Sequence, residues 1–195
     1  AVLRNGTQRT AKEVFEKYAI VIAFLALLIV VSILCSSFLT PSNLILVLNQ
    51  TSINGILAVG ITYVLITAGI DISIGSVVGL SGVISAMVVK AGAPLPVGFL
   101  CGILAGTLVG VIIGILVTKG KLAPYIVTLG FLTIIRGAAL LIAGGRPISS
   151  LGDAYGWIGN HNVFGVIPCP VIIFLIVVVI GHIILAHLQI GRYIY

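Results

Sequence analysis

From Asn43 to Lys90 the chain carries one charged side chain before its closing lysine, and that side chain is Asp71, set between two glycines in G-I-D-I-S-I-G (69–75). A stretch of this length is too long for one membrane crossing, which takes about 20 apolar residues, and suits two crossings with a turn. The only strong breaker near its middle is the 69–75 segment itself, so the turn is expected there. The chain is thereby fixed as a polytopic membrane protein, and the acidic residue is left at a helix break.

The rest of the chain agrees. Hydrophobic residues make up 60% and charged residues 7%, with a mean hydropathy of +1.34, against about 25% charged in soluble domains. Cutting the apolar runs at their breakers predicts an all-α, polytopic transmembrane helical bundle forming one transmembrane domain over 1–195. Six spans are read at about 18–38, 45–69, 73–90, 94–117, 124–143 and 171–188, with a loop at 145–168. The first run is long and lacks a small-x-small cleavage site, so it reads as a span and not as a signal peptide. The three cysteines, Cys35, Cys101 and Cys169, sit in or beside apolar runs and read as small packing residues.

The net charge of +6 does not indicate nucleic acid, because the cations lie at the ends of apolar runs and form no stripe. With the N-terminus cytoplasmic, the segments on that side hold seven cations, including Arg4, Arg9, Lys12, Lys17, Lys119 and Lys121, and the outer segments hold Lys90 and Arg146. The positive-inside rule selects that orientation. The loop at 145–168 is then outside, in a multi-pass membrane protein.

Glycine use predicts close helix packing. Gly102, Gly106, Gly110 and Gly114 recur every fourth residue on one face of the fourth span, where a neighbouring backbone can approach. Within one subunit is the expected place for that contact.

Several chemistries are excluded. A phosphate-cradling loop would need a glycine where Ile115 stands and a hydroxyl where Leu122 stands around Gly120-Lys121, and no two glycines are separated by a single residue. His182 and His187 are five apart and are expected on different sides of a helix, so no metal site is predicted. Glu13 and Glu16 alternate with Lys12 and Lys17 in an interfacial stretch. No nucleophile, base and orienting group come together, so the chain is not read as an enzyme.

The costliest charge is Arg136, eight residues before Gly144 and so about 12 Å inside the outer end of its helix. A cation there costs roughly 2.5 to 3.5 kcal/mol unless it faces a cavity or a partner. It either binds backbone carbonyls of a neighbour or lines a solute path, whose other candidates are Asp71, Ser73, Asn54 and Thr133. Asp71 or Ser73 is expected to cap the helix that follows the break, and a gating role for the break is the alternative. In the outer loop, Arg146, Asp153 and Trp157 are of the residue types that anchor interfaces and are candidates for docking a partner.

Three runs, A-V-G-I-T-Y-V-L-I-T-A-G-I-D-I-S-I-G-S (58–76), T-L-G-F-L-T-I-I-R-G-A-A-L-L (128–141) and I-G-R-Y-I-Y (190–195), resemble the membrane permease subunit of bacterial ribose-type ABC importers. The resemblance implies a subunit of about ten spans, present here as a C-terminally incomplete piece, that forms a homodimeric pore. It implies a multi-pass place in the bacterial inner membrane, a periplasmic sugar-binding protein and a cytoplasmic ATPase that holds ATP and Mg, with no cofactor on this chain. It also implies coupling to that ATPase through Gly191, Arg192 and Tyr193. The alternatives are a nucleoside or branched-chain amino acid permease of the wider family, or an ion-coupled secondary carrier.

Overall fold

The computed structural model describes residues 11–163, 165, 167–189 and 191. In chain order these form α1 (Ala11–Leu34), α2 (Pro41–Ile66), α3 (Ile74–Lys90), α4 (Leu95–Thr118), α5 (Pro124–Ile142), α6 (Asp153–Asn160), β1 (Asn162–Val163), β2 (Ile167–Pro168) and α7 (Cys169–His187). Helices α2, α4, α5 and α7 are long and apolar enough to cross a membrane, and α3 and the Tyr18–Leu34 part of α1 are shorter apolar helices. Large apolar side chains face outward along them, Leu141 being 83% exposed, as a lipid-facing surface requires.

Starts and stops follow local chemistry. Helices α2, α4, α5 and α7 each have a proline in the first turn, Pro41, Pro96, Pro124 and Pro170, where its missing N–H costs nothing. Helices α2, α3 and α5 end alike, in a Schellman pair of hydrogen bonds. Gly69 N–H reaches Val64 O and Ala68 N–H reaches Leu65 O; Ala93 and Gly92 do the same to Val88 and Val89, and Gly145 and Gly144 to Leu140 and Leu141. The left-handed residue is Gly92 (φ 96°) and Gly144 (φ 65°) in two of them, but Ala68 (φ 55°) in α2.

The chain divides into two units, Ala1–Val47 and Leu48–Tyr195. In the first, α1 ends at Leu34 and α2 opens at Pro41, in place of the spans read at 18–38 and 45–69. The reason is that Thr40-Pro41-Ser42-Asn43, which the spans at 18–38 and 45–69 leave between them as a breaker, is a helix start: Thr40 Oγ1 accepts the Asn43 N–H at 3.4 Å and Asn43 Nδ2 donates to Phe38 O at 2.8 Å. The stretch with Glu13 and Glu16 belongs to α1.

In the second unit α3 packs on both α4 and α5. Its α4 side meets glycines. A Cβ on Gly98 would collide with Val89, and one on Gly102 would come within 2.8 Å of Ser81 O, so backbones approach closely enough for Cα–H to carbonyl contacts. Gly106 packs on Ser81, whereas Gly110 and Gly114 face open space. The packing face is therefore Gly98, Gly102 and Gly106, one turn earlier than the expected run from Gly102 to Gly114. The antiparallel register carries Gly110 level with the first turn of α3 and Gly114 past its start at Ile74.

Helices α3 and α5 run parallel, tied by Thr128 Oγ1 donating to Ile70 O (3.2 Å) and Ser76 Oγ donating to Leu132 O (2.9 Å). The buried residues of this core include Leu80, Ala86, Ile113, Val127 and Ile135 with the polar Ser73, Ser85 and Thr128. Helix α2 meets α7 where Tyr63 Oη donates to Gly181 O at 2.8 Å.

Candidate solute cavity between α3 and α5

The break after α2 covers 67–73, with Gly75 already inside the first turn of α3. The turn thus lies two residues earlier than the 69–75 expected, and neither Gly69 nor Gly75 takes a left-handed conformation. The left-handed backbone is instead at Ala68, because the Schellman geometry puts that conformation directly after the last helical turn. Asp71 Oδ1 then accepts both the Ser73 N–H (2.8 Å) and the Ser73 Oγ–H (2.6 Å). Ser73 is the N-cap of α3, and its side chain makes no capping bond there. The carboxylate therefore holds the cap residue, which is fully buried.

Just beyond the break, α3 presents Gly75, Gly79 and Gly82, and a Cβ on any of them would meet no atom within 4 Å. That bare face and α5 enclose an open cavity of about 640 Å³. Arg136, Ala139 and Leu140 line it from α5 with Ala143 at that helix's C-cap, and Gly145, Arg146 and Pro147 line it at the far end. From Gly75 to Ala86 it follows α3 for about 16 Å. The Ser76–Leu132 register places Arg136 one turn further along, near the level of Gly79. Among the described residues Arg136 makes no hydrogen bond or ion pair, and no residue lining the cavity is acidic.

At the end opposite the break, α6 and the β1–β2 hairpin (Asn162 opposite Pro168, Val163 opposite Ile167) occupy what was read as a loop at 145–168. Trp157 and His161 stack with centroids 4.4 Å apart, and Phe99 stacks on Tyr155 at 5.8 Å. Asp153, Trp157, Asn160 and His161 share a separate polar hollow. Asn49 Nδ2 of α2 donates to Gly159 O at 3.4 Å.

Of the candidate path residues, the structure brings Arg136 to the cavity and leaves Asp71 and Ser73 in the break beneath it. Asn54 is exposed on α2, and Thr133 is exposed with its hydroxyl turned back onto Gly130 O at 2.8 Å. Neither lines that cavity. The docking candidates divide: Asp153 and Trp157 share the hollow on α6, and Arg146 lies on the α3–α5 cavity. Gly191 N–H donates to Leu188 O, and Arg192 and Tyr193 lie outside the described residues.

One expectation about the histidines changes. The rings of His182 and His187 meet edge to face at 6.0 Å, because side chains lean toward a helix N-terminus and His187, at the last position of α7, leans back over the preceding turn. Among the described residues no group of three metal-ligating side chains forms. The cavity wall was not among the expected sites, although G-x-x-x-G-x-x-G from Gly75 to Gly82 marks one face of a helix.

A family profile described as "Branched-chain amino acid transport system / permease component" matches residues 43–195. The ribose import permease protein of Bacillus subtilis is 41% identical over 92% of this chain and 56% of its own length. The one from Haemophilus influenzae is 41% identical over 89% of this chain and 55% of its own. The D-allose transport system permease protein of Escherichia coli is 33% identical over 93% and 56%. The chain thus spans about half the length of the curated relatives it matches. No solved structure is matched.

Proposed function

The chain belongs to the permease-component family of branched-chain amino acid transport systems, and from that premise we propose that it is the membrane-spanning part of an ATP-driven importer that passes a monosaccharide, ribose or a similar sugar, into the cytoplasm. It is a multi-pass inner-membrane protein with the fold of a helical permease. The observation that carries the transport reading is the α3–α5 cavity. Its volume of about 640 Å³ lies in the range of small-molecule sites, roughly 300 to 1,000 Å³, and it runs along the bundle from the helix break toward Arg146. The likeness to ribose and D-allose permeases supports a sugar as the solute.

In this reading a separate cytoplasmic ATPase supplies the energy with its own ATP and Mg, and a periplasmic binding protein delivers the sugar. The pore is a homodimer, the N-terminus and the 67–73 break face the cytoplasm, and the hollow on α6 with Asp153 and Trp157 faces the binding protein. Gly191, Arg192 and Tyr193 lead into the region that the ATPase grips.

The test is uptake of labelled ribose by the full-length permease with its ATPase and binding protein in proteoliposomes. Uptake is expected to require internal ATP and to survive a protonophore. Abolition by the protonophore while ATP is maintained overturns the reading in favour of an ion-coupled carrier. The family description favours a second reading, an amino acid permease. Excess leucine or valine that suppresses uptake as strongly as unlabelled ribose establishes that reading instead.

A further inference from the structure

The wall of the α3–α5 cavity is electrostatically one-sided. Among the described residues its charged groups are two guanidiniums, Arg136 part-way along α5 and exposed to the open cavity and Arg146 toward its end, and none of its lining residues is acidic. The acidic group nearest to its lining in sequence, Asp71, is engaged by Ser73 below the cavity. Arg136 has no hydrogen-bond or ion-pair partner among the described residues, and a cation inside a membrane bundle persists where it faces water or a partner. The glycine face opposite leaves the room that such a partner needs: no atom lies within 4 Å of a Cβ built on Gly79 or Gly82.

We infer that this cavity is selective for solutes rich in acceptor oxygens, neutral polyols and small anions alike, that it repels cations, and that Arg136 is the residue that determines this. The argument is chemical. A guanidinium offers donors in a fixed planar fork and accepts nothing, so it pairs with vicinal hydroxyl, carboxylate or phosphate oxygens and leaves an ammonium unpaired. Walls of low dielectric strengthen both the attraction and the repulsion, and a cleft lined by one sign of charge concentrates the opposite sign. Arg146 adds the same sign at the end through which a solute would enter. The inference deepens the importer reading, since the selected solutes include sugars and exclude cationic amines, but the charge selectivity itself does not depend on transport.

The test uses the intact permease in nanodiscs, with no other cysteine, carrying Ala139→Cys in the cavity wall. Its rates of reaction with a negatively and a positively charged methanethiosulfonate reagent are compared. The anionic reagent is expected to react faster, on the order of tenfold relative to the same pair of reagents with free cysteine. Arg136→Gln in the same background is expected to remove most of that preference, and Arg136→Lys to keep it. Ala143→Cys serves as a second reporter if Ala139→Cys does not elute as a folded protein. Equal rates for the two reagents, a preference unchanged in Arg136→Gln, or a cysteine at either site that neither reagent reaches overturns the inference. Ribose at saturating concentration separates the two levels: it slows labelling if the cavity is the sugar path and leaves it unchanged if only the charge selectivity holds.

Discussion

Ser73 Oγ lies 2.6 Å from Asp71 Oδ1, the same oxygen that takes the Ser73 N–H. An acidic residue between two apolar spans is thus absorbed by one fully buried serine, which it fixes at the point where α3 begins. Hydrogen bonds to a charged acceptor contribute about 1.5 to 3 kcal/mol. Asp71→Ala is therefore expected to lower the thermal midpoint of the purified protein by several degrees, and Asp71→Asn, which keeps an acceptor oxygen, by less than half of that. Equal losses in the two variants would show that the charge, and not the accepting geometry, matters there.

The end of α2 holds an alanine where α3 and α5 hold glycine. A left-handed residue with a Cβ costs about 1 kcal/mol or more, so Ala68→Gly is expected to stabilise the protein by roughly that amount and Ala68→Val to destabilise it. Denaturation in mild detergent measures both. A destabilising Ala68→Gly would contradict the φ of 55° at this position.

The glycines of α4 are predicted to respond unequally. Gly102→Ala places a methyl group 2.8 Å from Ser81 O, and overpacking of this kind costs about 1 to 3 kcal/mol. Gly110→Ala meets nothing and gains helix propensity of up to about 1 kcal/mol. If the two substitutions shift the thermal midpoint in the same direction by similar amounts, the packing described between α3 and α4 is wrong.

Arg146 and Asp153 line different cavities, so their substitutions should separate. Asp153→Lys is expected to weaken binding-protein affinity for the reconstituted permease by about tenfold, as loss of a rim charge alters encounter. Arg146→Glu should leave that affinity within twofold and lower uptake at saturating binding protein. Surface plasmon resonance and flux assays read the two effects independently.

Arg192→Lys keeps an interfacial cation and loses the planar fork. In the full-length complex the variant is expected to insert and dimerise normally while transport-coupled ATP hydrolysis falls. Wild-type hydrolysis and uptake would make Arg192 a membrane anchor only.

The helical class and the approximate helices were legible because apolar length and proline or glycine punctuation are local signals. Pro124 and Lys90 mark element ends in both sequence and structure. Around Thr40-Pro41 the same punctuation misled, since a proline that stops one helix in a sequence reading opens the next in the fold. Arg136 was legible as a costly charge, but its two options could be separated only by knowing what stands opposite. That depends on the rotation of α3, which turns Gly75, Gly79 and Gly82 toward α5 and Ser81 and Ser85 toward α4. Asn54 and Thr133 were chosen for polarity alone, and polarity does not say which face of a helix a residue occupies.

Helix α4 has 24 residues and α3 has 17, a difference of seven, or about 10 Å. The pair is clamped near one end at Gly98, Gly102 and Gly106 and carries no side-chain interlock at Gly110 and Gly114. Mechanically this is a beam clamped at one end by close backbone approach and held at the other by the buried Ile113. A lateral load on the Lys119–Lys121 turn works against that one apolar seat without prising the clamp, and a load at the Lys90–Leu95 turn must move both helices together. The pair therefore has a soft end and a stiff end, and the soft end is the one that also carries the 67–73 break.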